Sequence, residues 1–181
     1  MASTTQVDTD KLAERARSSF ELYRDGGTTP EILLTISLVH IARRWRSLLD
    51  EKLRPINQSA ARMEAMAAII NSPPLSPQVD IAKRLRIEGP TLTRMLDSLE
   101  ADGLVQRLPD PADRRTKQLK LTPAGESALE QIFAIVDDLR ARLLDGYSTD
   151  HIAAMNEFCW DLVKRLDDRL PGECAPVPNS G

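Results

Sequence analysis

Residues 87–125 read "IEGPTLTRMLDSLEADGLVQRLPDPADRRTKQLKLTPAG". Within this stretch Gly89 suits an N-cap, and Pro90 suits the first helical position, where its missing N–H costs nothing. Leu92, Met95, Leu96 and Leu99 then fall on one stripe at helical spacing. The opposite face carries Pro90, Arg94, Asp97 and Ala101, flanked by Thr91 and Thr93. Gly103 in "ADGLV" closes the helix in the manner of a left-handed cap. After it, "LVQRLP" and "KQLKLT" bracket "DPADRR", and Leu119 and Leu121 alternate with polar neighbours as in a half-buried antiparallel strand. The spacing predicts a hairpin with Arg114, Arg115 and Lys117 at its tip and Asp110 and Asp113 placed to brace the guanidiniums. Thr122 and Pro123 then start another helix.

A short helix is also predicted over about 77–86, separated from one over 90–102 by "IEG". Two short helices followed at once by a charged hairpin describe a winged helix-turn-helix. In that arrangement the second helix enters a major groove with its N-terminal side chains toward base edges. Pro90, Thr91, Thr93 and Arg94 occupy that end, where threonine can meet a base edge or phosphate and arginine pairs bidentately with guanine. A basic hairpin tip (Arg114, Arg115, Lys117) suits the narrow minor groove, where negative potential is concentrated. The plainer readings are a solvated helix face and a salt-bridged turn. Lys83, Arg84 and Arg86 read as solvated residues with at most one phosphate contact, and Glu88 as a capping or bracing group.

Elsewhere helical periodicity dominates. Leu12, Ala16, Phe20 and Tyr23 predict a helix over 8–24, ended by "DGGTTP". Helices follow over about 31–53, 58–71, 123–145 and 149–170, with Leu129, Ile132, Phe133, Val136, Leu139 and Leu143 inward on the third. Ile152, Met155, Leu162, Val163, Leu166 and Leu170 form a stripe on the last, more apolar surface than a small lone lobe can cover. Apolar residues make up 41% of the 181-residue chain and charged residues 28%, the balance of a globular domain. The fold class is therefore mainly α, with long helices packed as a dimerisation region and one small antiparallel hairpin. The net charge of −3 argues against nucleic acid, but residues 83–120 carry nine Lys/Arg against six Asp/Glu. That asymmetry can steer one face toward a polyanion.

"SPQVDIAKRLRIEGPTLTRMLDSLEADGLVQRLPDPADRRTKQLKLTPAG" resembles the DNA-binding core of the MarR family of bacterial regulators. "IEGPTLTRMLDSLEADGLV", "DRRTKQLKLT" and "RWRSLLDEKLRPI" are closest to its SlyA-like branch. The resemblance spans about residues 31–170. It implies one MarR-like domain over 1–181, with 31–72 and 123–170 for dimerisation and ligand binding and 73–122 as the DNA-binding lobe. Residues 1–7 and 171–181 read as loose tails. The family implies a homodimeric repressor on palindromic operator DNA, released by a small aromatic carboxylate or a thioester. Arg43 and Arg46 correspond to positions bordering the ligand pocket, where an arginine could hold a carboxylate; salt bridges are the other reading. Met63 and Met66 read more often as core than as pocket lining, although methionine suits an adaptable cavity. Ala112 stands where much of the family has the first arginine of Asp-x-Arg-Asp-x-Arg, so this wing leans on Arg114 and Arg115. Met63 replaces an aromatic of the branch.

Other classes find little in the residues. His40 and His151 have no carboxylate or thiol at ligand spacing, and Cys159 and Cys174 form no metal-like pair, so no metal or cofactor is expected. No nucleophile–base pair points to an enzyme. Cys159, between Phe158 and Trp160, is expected to be buried. Without a spanning apolar run or signal-like N-terminus, a cytoplasmic location is expected. The rival to a DNA-binding regulator is a winged-helix protein-interaction module that does not touch DNA.

Overall fold

A computed structural model describes residues 18–111, 113 and 116–168. The expectations placed on residues 1–17, Ala112, Arg114, Arg115 and 169–181 lie outside the described residues. The elements in chain order are α1 (Ser19–Arg24), α2 (Pro30–Leu53), α3 (Ala60–Ile70), α4 (Gln78–Leu85), α5 (Gly89–Ala101), β1 (Val105–Pro109), β2 (Lys117–Leu121), α6 (Pro123–Leu143) and α7 (Thr149–Asp167). No helix among the described residues is long and apolar enough to cross a membrane.

Hydroxyl caps set most of the helix starts. The Thr29, Ser59 and Ser148 side chains each accept a bond from the N–H three residues on, at Ile32, Arg62 and His151, satisfying a donor the helix itself cannot. Ser18 does the same for α1 and forms a reciprocal capping box with Glu21. This corrects the continuous helix expected over 8–24, because Ser18 is extended and a helix begins after it. The inward residue of α1 is Leu22, while Phe20 and Tyr23 are exposed.

The chain divides into two compact units, Met1–Ile135 and Val136–Gly181. In the first, α3 is central and packs on α2, α4, α5 and β2. Leu53, Ala65, Met66, Ile81, Leu92, Leu96 and Leu99 have no exposed surface, and Val105 and Leu119 almost none. Each such leucine contributes about 1.5–3 kcal/mol by leaving water. Met95, expected on the buried stripe, is only half-buried. The α5 helix ends in a Schellman pair, Gly103 N–H to Glu100 C=O and Leu104 N–H to Leu99 C=O. Gly103 takes the left-handed conformation (φ 71°) that this closure requires. The hairpin follows directly, antiparallel, with Val105 opposite Leu121 and Arg107 opposite Leu119. Its other edge is extended by Ser76 and Pro77: the Ser76 carbonyl accepts from Leu119 N–H and Pro77 bridges Gln118.

Thr122 welds the start of α6 to the end of α5. Its hydroxyl donates to the Gly103 carbonyl and accepts from Gly125 N–H, and its own N–H bonds the Leu104 carbonyl. Along α6 the buried line is Leu129, Ile132, Val136 and Leu139; Phe133 and Leu143, expected inward, are exposed. Phe133 sits at the edge of the stripe, whereas Leu143 is in phase with it but is the last residue of the helix. In the second unit, α7 has no buried residue, and Met155, Phe158, Trp160 and Leu166 face solvent. Cys159 is exposed as well, contrary to expectation, although Ile152, Leu162 and Val163 on the same side of the helix are half-buried.

A methyl group at Gly125 would sit 2.0 Å from the Leu104 carbonyl oxygen. The obstacle is backbone, so relief requires the start of α6 to move off the lobe. Gly125→Ala is expected to destabilise the fold by about 1–3 kcal/mol, read as a lower urea midpoint with unchanged m-value. An unchanged midpoint would show that this close approach is not a constraint.

Candidate nucleic-acid interface

The N-cap of α5 is Glu88, one residue before the expected Gly89, and the Glu88 side chain makes no capping bond. Gly89 and Pro90 therefore form the first turn. Pro90, Thr91 and Arg94 are exposed. Arg94 has no ion-pair partner among the described residues, which leaves its guanidinium available at the N-terminal part of the helix. Thr93 is committed elsewhere. It is half-buried, its hydroxyl donating to the Gly89 carbonyl at 3.0 Å and accepting from Gln78 Nε2 at 2.8 Å. The second of these bonds ties α5 to α4.

Two arginines fasten the back and side of α5. Arg62, on α3, has 14% of its side chain exposed. It donates to Gln58 Oε1 (3.0 Å), Ser98 Oγ (2.7 Å) and Asp102 Oδ2 (2.6 Å). Arg107, on β1, donates to Asp97 Oδ1 (2.6 Å) and the Thr93 carbonyl (3.0 Å), with Glu100 at 3.5 Å. The Arg107 main-chain N–H also bonds Glu100 Oε1 at 3.3 Å. Charge-assisted bonds of this kind are short and directional. Neither arginine was marked by reading for exposed basic residues, yet both carry a signal in their periodicity. Arg62 lies on the helical line of Ala65, Met66 and Ile69, which are buried. Arg107 is two residues from buried Val105, on the same strand face. A charge on an inward position implies a buried partner.

At the hairpin, the Gln118 amide donates to Asp110 Oδ2, the Asp113 N–H to Asp110 Oδ1, and the Thr116 hydroxyl to Asp113 Oδ2. The two aspartates thus shape the turn. Lys117 is exposed at the foot of the tip; Arg114 and Arg115 lie outside the described residues. An open groove of about 590 Å³ lies between α4, the turn into α5 and the hairpin, lined by Val79, Ala82 and Ile87 and by the cations Lys83, Arg86 and Lys117. Lys83 also pairs with Asp80. Arg86 holds a left-handed conformation (φ 53°) at the turn, a position where glycine is more common.

The residues expected around a ligand divide. Arg46 Nη2 bonds both carboxylate oxygens of Glu64, at 2.8 and 2.7 Å, which is the salt-bridge reading. Met66 is fully buried in the core. Arg43 is exposed with no ion-pair partner among the described residues, and Met63 is half-buried. None of the four lines the groove beside the hairpin.

Residues 59–117 match the sequence profile of the MarR family. Among solved structures, a cysteine-to-serine variant of E. coli MarR complexed with operator DNA is 31% identical, covering 73% of this chain and 95% of that one, with a TM-score of 0.65. The transcriptional regulator PA3341 is 32% identical, covering 75% and 99%, with a TM-score of 0.67. The transcriptional repressor CouR, bound to a 23-mer DNA duplex, is 26% identical over 72% and 92%, also at 0.67.

The two ion pairs of α3 should differ in weight. Arg62→Ala removes a largely buried guanidinium from three acceptors, two of them (Ser98 and Asp102) at the surface, and is expected to lower stability by about 1–3 kcal/mol. Arg46→Ala removes a pair half exposed on both sides and should cost less than about 1 kcal/mol. Urea denaturation of both variants checks the contrast; equal losses would refute it.

Proposed function

Because this chain belongs to the MarR family of transcriptional regulators, we propose that it is a homodimeric repressor that binds palindromic operator DNA through α5 and the hairpin. The observation that carries the reading is Arg94: exposed, without an ion-pair partner among the described residues, and mounted on a helix fastened from behind by Arg62 and Arg107. Pro90 and Thr91 lie beside it at the groove, Thr93 holds the helix, and Lys117 with Arg114 and Arg115 supplies the wing's contact to phosphate and minor groove. MarR with operator DNA and CouR with duplex DNA support the nature of the partner. A DNA-binding reading also places the protein in the bacterial cytoplasm with the chromosome.

The dimer is supported by the exposed apolar residues Met155, Phe158 and Leu166 on one side of α7, with Trp160 off that side, and by Leu33, Leu34, Val39 and Ile41 on α2. Such surface is more than a monomer ordinarily leaves in water. Two lobes of a dimer would sit about 34–36 Å apart, one turn of duplex. The effector in this reading is a small anionic, aromatic molecule. Arg43, which has no ion-pair partner among the described residues, is its anchor, and half-buried Met63 a lining residue. Arg46 would take part only by releasing Glu64. A ligand that prefers the DNA-free state weakens DNA binding by its differential affinity for the two states.

Mobility shifts on DNA selected from a random pool test the core of the proposal. Arg94→Ala is expected to cost about 1–3 kcal/mol on the selected site and less on random duplex. Arg115→Ala should flatten the log–log salt slope by about one unit. Absence of any retarded complex at low salt would sink the reading. For the effector arm, thermal-shift screening of aromatic acids should find a ligand whose effect weakens in Arg43→Ala; an undiminished response would move the pocket elsewhere. Light scattering at micromolar concentration should report a dimer, and a monomer would refute that part.

A further inference from the structure

We propose that Arg107 is a positioning residue for DNA recognition: it sets the rotation and height of α5 against the hairpin, and so determines sequence discrimination without itself touching DNA. The inference rests on the DNA-binding reading above and adds a residue that the exposed basic set does not contain.

The argument begins with what the core can and cannot fix. Leu92, Leu96 and Leu99 hold α5 at its depth, but apolar burial is non-directional and tolerates a small roll or slide of the helix. Base readout does not, because a bidentate arginine–guanine pair needs both donors aligned at once. Arg107 supplies direction. Its guanidinium meets the Thr93 carbonyl, the Asp97 carboxylate and the Glu100 carboxylate, which lie four and then three residues apart on one ridge of the helix. Attachments on successive turns oppose rotation about the axis and sliding along it together. Glu100 grips both the side chain and the main-chain N–H of Arg107, so the fixed reference is the backbone of β1, the first strand of the hairpin.

Burial and charge separate this group from a phosphate contact. Only 17% of the Arg107 side chain is exposed, and its Nε is buried without a hydrogen-bond partner among the described residues. A phosphate could not reach such a group without unseating the helix. The partner Asp97, in contrast, is 58% exposed on the same helix face as Arg94. Arg107 offsets its charge from behind and leaves Arg94 unencumbered in front.

The test compares wild type, Arg107→Met and Arg107→Lys, each as full-length protein well below its unfolding midpoint. Affinities are measured over a salt series on a duplex selected by the wild type and on random duplex. Methionine keeps the apolar stem and removes the fork. Arg107→Met is expected to lower the ratio of selected to random affinity by about tenfold, within the range of one lost base contact, while the salt slope stays unchanged. Lysine, a point charge without the planar fork, should restore only part of that ratio. A slope lowered by about one unit would make Arg107 a phosphate contact. An unchanged ratio, whatever the shift in melting temperature, would make its role purely structural. Either result overturns the proposal. Should Arg107→Met fail to fold, Glu100→Gln loosens the same attachment from the exposed side. A loss of the ratio by about two- to threefold is then expected, and no loss overturns the proposal. Wild type that fails to discriminate the selected duplex would instead overturn the DNA-binding reading itself.

Discussion

Everything in the lobe depends on holding α5 by one side while leaving the other bare. A helix in water does this with an apolar stripe, and Leu92, Leu96 and Leu99 provide it with no exposed surface. The stripe alone does not determine orientation, and here two arginines add what it lacks. Arg62 reaches the C-terminal half of α5 from α3, and Arg107 reaches its middle from β1. Both guanidiniums are mostly shielded from solvent, whereas the carboxylates they meet are about half exposed. Desolvation would make either a liability if unpaired. Each has several acceptors, and those acceptors all belong to the helix being held or its close neighbours.

This arrangement changes how the charge of the lobe is understood. Counted along the chain, residues 83–120 are only modestly basic. In space, Asp97, Asp102 and Glu100 are occupied with Arg62 and Arg107, and Asp110 and Asp113 are occupied in the turn of the hairpin. The cations Arg94, Lys117 and Lys120 remain on the surface. Arg62, from outside this span, sets one further positive charge against Asp102, whereas the hydrogen bonds to Asp110 and Asp113 shape the turn without cancelling their charge. Close backbone approach matters alongside charge. Thr122 and Gly125 bring the start of α6 against the corner that follows α5, where they meet the Gly103 and Leu104 carbonyls.

The second unit presents the opposite situation, an amphipathic helix whose apolar residues are at most half-buried. Met155, Phe158, Trp160 and Leu166 of α7 are exposed, although Ser148 caps the helix well. Local signals form the helix without a tertiary partner to bury it. The exposure of Cys159 follows from the same circumstance.

The sequence by itself determined the elements and their kind. Proline, glycine and hydroxyl caps act within one turn of the chain, so the boundaries of α2 through α7 and the hairpin lie within about three residues of where periodicity and caps put them. The exposed positions of Pro90, Thr91 and Arg94 were legible for the same reason: the stripe of α5 dictates the opposite face. Tertiary structure decided which polar groups are spent inside the lobe. That Thr93 binds Gln78, that Arg46 binds Glu64, and that Arg62 and Arg107 converge on α5 are pairings over 15, 18 and up to 40 residues. It also decided that Leu22 faces inward where Phe20 and Tyr23 do not. Periodicity gives the phase of a helix but not its neighbours, and a charged side chain has the same local signature whether it faces water or a carboxylate from another element.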